Sequence, residues 1–152
     1  MKGSLLLISA VLGVLAAGKA TTSTVEELRA LSAGAIQKLD DAHRAAVASG
    51  RWEDLVRAGD AYRRLGEPAG QPEAFDAKAR EAYRSALARA RHDESLDGVL
   101  RVAEALATVA DREAVGQAFR IADRLAALDP DARADVRAFA ARFADQLDGV
   151  RE

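Results

Sequence analysis

Apolar residues return at spacings of three and four along almost the whole chain beyond residue 24. Val25, Leu28, Leu31, Ala35, Leu39, Ala42 and Ala46 fall on one face of a helix, and Thr24-Val25-Glu26-Glu27 ahead of them reads as a capping box. Gly50 stops this helix near Ser49. A second helix, from Trp52 to about Leu65, presents Trp52, Leu55, Val56, Gly59 and Tyr62. Gly66 to Gly70 is a loop by composition, and Pro72 stands at a first helical position, where its missing N–H costs nothing. The third helix, Glu73 to about Arg91, aligns Phe75, Ala79, Tyr83, Ala86, Leu87 and Ala90. His92-Asp93-Glu94 breaks it, with Asp93 or Ser95 capping a fourth helix, Leu96 to Val109, whose face is Leu96, Val99, Leu100, Ala103 and Leu106. A tight turn at Ala110-Asp111 leads to a fifth, Arg112 to Leu128, with Val115, Phe119, Ala122 and Leu125. Asp129-Pro130 then starts a last helix, Asp131 to Asp148, over Val136, Phe139, Ala140, Phe143 and Leu147. Nothing alternates with the period of a strand. The expected class is all-α, about six helices in one domain over residues 21–152.

The first twenty residues follow another pattern. An amine and Lys2 precede an uncharged run from Gly3 to Gly18, whose apolar centre includes Leu5, Leu6, Leu7, Ile8, Val11, Leu12, Val14 and Leu15. Leu5 to Ala17 suits the apolar region of a signal peptide better than a spanning helix, which needs roughly 20 residues. Gly18-Lys19-Ala20 puts small residues at the two positions a signal peptidase reads. An uncleaved anchor is the alternative, with Gly3–Gly18 reaching about 24 Å as a helix. In both cases Lys2 stays in the cytoplasm and the rest is exported, to the periplasm or held at the membrane facing outward.

Composition narrows the chemistry. Alanine dominates and aromatics are 5%, so intrinsic preference is helical and the core must be built by close helix packing. Cysteine is absent, which removes disulfides, lipoprotein attachment, c-type haem attachment and thiolate metal sites together. The net charge is -2 with both signs interspersed, leaving no basic stripe for a nucleic acid.

Two stretches share a spacing of small, aromatic and small residues: Ala79, Tyr83, Ala86 and Val115, Phe119, Ala122. The turns GRWEDL at Gly50–Leu55 and ADREAV at Ala110–Val115 can also be overlaid. From Leu39 to Pro130 the chain resembles the tetratricopeptide-repeat (TPR) family in a degenerate form, through Gly50, Trp52, Leu55, Gly59 and Tyr62, then Ala110, Val115, Phe119, Ala122 and Leu128-Asp129-Pro130. It departs from that pattern at Gly59, where the family prefers an aromatic, and at Tyr62, where it prefers a small residue. Pro130 comes about three residues late, and the third helix breaks the family's period. The resemblance implies stacked antiparallel helical hairpins that bind another protein in a groove. An irregular six-helix bundle explains the same faces.

The expected core is Trp52, Leu55, Tyr62, Tyr83, Phe119, Phe139 and Phe143, with outward charges such as Arg57, Arg63, Arg64 and Arg84 available to line a groove. Asp40-Asp41-x-His43 and His92-Asp93-Glu94-x-x-Asp97 read as capping or surface charge clusters rather than metal sites. The two histidines lie on separate hairpins, no serine sits in a Gly-rich elbow, and no phosphate-binding glycine loop is present. The expectation is a non-catalytic adaptor or scaffold with no cofactor and no bound metal. Its partner is another protein, with the membrane a second contact if residues 1–20 are kept. The alternative is a structural accessory subunit of a larger membrane complex, held by that segment.

Overall fold

A computed structural model describes the backbone of residues 22–144 and the side chains of residues 33–144. The apolar residues Leu5 to Ala17, the small-residue site at Gly18–Ala20, and Leu147 lie outside the described residues. Two compact units divide between Gly34 and Ala35. The described part of the first is helical backbone, and the packing below concerns the second. Among the described residues the chain is all-α, with α1 (Thr22–Ser49), α2 (Trp52–Gly66), α3 (Pro72–His92), α4 (Leu96–Thr108), α5 (Arg112–Leu125) and α6 (Pro130–Arg142).

Local chemistry sets the helix ends. The α1 helix already includes Thr22, so Thr24 lies inside it and the capping box does not mark its start; Thr22 and Ser23 contain no breaker to stop the ladder. Gly50 ends α1 with a left-handed φ of +67°. Ser95 caps α4 by accepting from the Gly98 N–H at 3.0 Å, and Asp129 caps α6 by accepting from Asp131 at 2.9 Å, with Pro130 following. The α5 helix stops at Leu125, three residues short of the expected Leu128. Asp129 must be extended to serve as cap and precede a proline, so Ala126 to Leu128 have to reverse the chain, and Leu128 is left 98% exposed. The α6 helix is interrupted after Arg142, and its expected end at Asp148 lies outside the described residues. Phe143 leaves helical geometry and lays its ring against Phe139, centroids 4.7 Å apart.

Each helix from α2 to α6 packs on the next, and α2 also meets α4, α3 meets α5, and α4 meets α6. The second unit therefore alternates between two layers. Its core joins Leu55, Val56 and Tyr62 to Ala79, Tyr83 and Ala86, then to Val99, Val102, Leu106, Val115, Ala118, Ile121 and Phe139. Alanine and glycine let the α2 and α3 backbones approach, and one aromatic fills each gap. Burying a large side chain in this way contributes about 1.5–3 kcal/mol.

Trp52 is half-buried rather than enclosed, packed against the edge of the core at the start of α2. Its ring lies over Gly98, where an added Cβ would stand 2.9 Å from Trp52 Cε2. Gly98 is therefore a packing requirement of α4, beyond being tolerable near a helix start. Trp52→Ala should cost about 2 kcal/mol, less than the 3–5 kcal/mol of a fully buried aromatic, read as a lower urea midpoint. A cost near 4 kcal/mol would mean that the ring is enclosed in solution.

Candidate functional site

Asp40, on the inner side of α1, is where three helices meet through polar atoms. It accepts a hydrogen bond from the Tyr62 hydroxyl of α2 at 2.8 Å and from Lys78 Nζ of α3 at 2.7 Å. The Lys78 ammonium also lies 5.3 Å from the centre of the Tyr62 ring. His43, one turn on, meets that ring edge-on, with Nδ1 3.4 Å from the hydroxyl. The hydroxyl proton is already given to Asp40, so any bond at His43 must be donated by the imidazole. Hydrogen bonds from Lys78 and then Tyr62 hold the Asp40 carboxyl below the usual carboxylate range. Burial, followed by the Asp40 carboxylate, pushes the Tyr62 phenol up. Both directions favour an ionised Asp40 and a protonated Tyr62.

These residues border a shallow cleft of about 600 Å³ that Arg44, Val47, Ala48 and Glu81 complete. Glu81 also lines a second cleft along α3 with Arg80, Arg84 and Ala88, and Arg84 and Ala88 belong in turn to a third, between α3 and α5, with Arg91, Glu113 and Ile121. The three clefts follow one another across α1, α3 and α5 through these shared lining residues, and together they are called the groove. Acidic and basic side chains both line it, beside small apolar residues such as Ala48, Ala77 and Ala88.

Arg84 is fixed in place. Its Nε–H donates to Asp111 Oδ2 at 2.7 Å and its Nη2–H to Oδ1 at 3.1 Å, the bidentate geometry that favours arginine over lysine. Asp111 is 6% exposed and also caps α5 by accepting from the Ala114 N–H at 3.3 Å. Arg80 lies 3.9 Å from the same carboxylate and donates to the Val109 carbonyl at 3.1 Å.

Leu55, Tyr62, Tyr83 and Phe139 are buried, whereas Trp52, Phe119 and Phe143 are half-buried against the core. On α5 the buried line is Ala114, Val115, Ala118, Ile121 and Ala122, which turns Phe119 toward the edge. Of the outward arginines, Arg57 pairs with Asp54 and Arg63 approaches Asp76 at 3.9 Å, while Arg84 alone of the four borders the groove. The reading of Asp40 as a surface charge was incomplete, because its partners stand 22 and 38 residues away and share no local pattern with it. Among the described residues no group of three or more His, Asp or Glu gathers as a metal site would require, and no helix is long and apolar enough to cross a membrane. No family model, curated protein or solved structure matches the chain.

Proposed function

We propose that the chain is a non-catalytic protein–protein interaction module, a TPR-like array of stacked helical hairpins, exported to face the periplasm or the exterior. The observation that carries this reading is the succession of the three clefts, the first sharing Glu81 with the second and the second sharing Arg84 and Ala88 with the third. A small molecule is best held in an enclosed, largely apolar pocket with a few converging polar groups. A succession of shallow clefts crossing three helices, lined by charges of both signs, is suited to a segment of another polypeptide. The uncharged run Gly3–Gly18 favours a second reading, in which the same module is an accessory subunit of a membrane complex anchored by that run.

A photo-crosslinking amino acid placed at Ala88, in the middle of the groove, should give one discrete adduct in the native host. The same residue placed at Arg137 on α6, outside the groove, should not. No adduct from position 88, or the same adducts from both positions, would count against the reading. Intact mass of the protein in soluble and membrane fractions separates the two locations. A soluble species beginning at Thr21 is the exported adaptor, and a membrane species retaining Leu5–Ala17 is the anchored subunit.

A further inference from the structure

The α1 helix is held differently from its neighbours. Between Ala35 and Ser49 only Ala46 is buried, with Ile36 and Leu39 half-buried against the core, and Val47 is 58% exposed. By contrast α2 buries Leu55, Val56 and Tyr62 among others, and α3 buries Phe75, Tyr83 and Leu87. What holds α1 down is largely polar. Asp40 takes the Tyr62 hydroxyl and the Lys78 ammonium, and His43 covers the edge of the Tyr62 ring. Where α1 ends, Gly50 at φ +67° and the extended Arg51 form a two-residue joint, tied locally by the Gly50 N–H to the Val47 carbonyl and the Arg51 N–H to Ser49 Oγ, and to α3 by the Arg89 guanidinium donating to the Gly50 carbonyl. Glycine passes between backbone regions at low cost, so such a joint can change angle without melting either helix.

We propose that the Ala35–Ser49 part of α1 is a releasable strap, latched to α2 and α3 through Asp40 and hinged at Gly50–Arg51, whose release bares Tyr62. The inference follows from comparing what each opening would break. Lifting the strap breaks two hydrogen bonds to one carboxylate, itself a third exposed, and the edge contact of His43 with Tyr62, and among apolar side chains it frees the small buried Ala46 and the half-buried Ala35, Ile36 and Leu39. Separating α2 from α3 would instead empty the positions of Tyr83, Phe75 and Leu87, so local opening takes the α1 route first. Tyr62 then changes from almost fully covered to accessible, while Tyr83 stays enclosed between α2 and α3. The strap thus controls access to an aromatic face, and this holds whatever occupies the groove.

The chain contains two tyrosines, one under the strap and one away from it, which makes the test internal. Full-length wild type and Asp40→Asn are treated with tetranitromethane, with nitration mapped by peptide mass and hydrogen exchange followed on the same samples. Loss of a charge-assisted hydrogen bond should make Tyr62 nitration and amide exchange over residues 36–48 faster by about 10- to 100-fold. Tyr83 and the amides of α3, α4 and α5 should not change. Lys78→Gln, acting from the other side of the latch, should give the same pattern to a smaller extent. Equal acceleration of both tyrosines would show that opening is global and would overturn the proposal. Faster Tyr62 nitration without faster exchange in α1 would do the same, since the phenol alone would have lost its partner. No change in either variant would also overturn it.

Discussion

Replacing Asp111 with alanine should lower the stability of the fold by about 2–4 kcal/mol. The side chain is almost fully buried, accepts two hydrogen bonds from Arg84 and one from the Ala114 N–H, and lies 3.9 Å from Arg80. Alanine removes the α5 cap, worth about 1 kcal/mol, and the charge-assisted pair, worth about 1.5–3 kcal/mol. Arg84 and Arg80 are each more than a third exposed, so both regain water when the carboxylate is gone. That keeps the loss below the upper range for a stranded buried charge. Asp111→Asn keeps an acceptor for Ala114 and for one arginine N–H, and should cost about half as much.

The same carboxylate gives the fold a pH dependence of known sign. Burial pushes the Asp111 carboxyl up, but the Arg84 hydrogen bonds, the Ala114 N–H and the charges of Arg84 and Arg80 outweigh it and leave the group below its ordinary value. A carboxyl whose folded value is depressed stabilises the fold fully above its unfolded value of about 3.9, and that contribution is lost as pH falls through the folded value. Asp40 has the same sign through Lys78 and Tyr62. Urea midpoints of the wild type should therefore be flat from about pH 6 to 5 and fall below about pH 4. The Asp111→Asn protein should start lower and fall less steeply. Parallel curves for the two proteins would mean that Asp111 is not ionised in the fold.

Helix positions were legible because they depend on neighbours in sequence. Proline at the first helical position of α3 and α6, the Asp129 and Ser95 caps, and glycine at position 50 are each local signals with local causes. The end of α5 and the break in α6 after Arg142 were not, since both depend on packing: Leu128 is given up to a chain reversal, and Phe143 leaves its helix to meet Phe139. The candidate site was the least legible part. Asp40, Tyr62 and Lys78 each look like an ordinary surface or core residue until three helices place them together. One repeated signal was present, although its meaning was hidden. An aspartate lies 22 residues before Tyr62 and another 23 before Tyr83, and each accepts that tyrosine's hydroxyl from the following helix.

Gly59→Ala should destabilise the fold by about 2–3 kcal/mol, although alanine in a helix interior is ordinarily favoured over glycine by about 1 kcal/mol. An added Cβ would stand 2.6 Å from Cδ1 and 2.8 Å from Cζ of Tyr83, with Cε1 nearer still. That ring cannot give way easily, because it is fully buried and its hydroxyl is bound to Asp60 at 2.7 Å. Tyr83→Ala should itself cost about 3–5 kcal/mol by opening a cavity. The two changes are coupled: with the ring removed, Gly59→Ala should become neutral or stabilising by up to about 1 kcal/mol, because only the helix preference remains. A Gly59→Ala protein as stable as wild type would show that α2 and α3 are not in this contact. This pair also explains why a glycine stands at position 59. An aromatic there would compete with Tyr83 for one space, so the bulk between α2 and α3 is supplied from α3 and α2 supplies the gap.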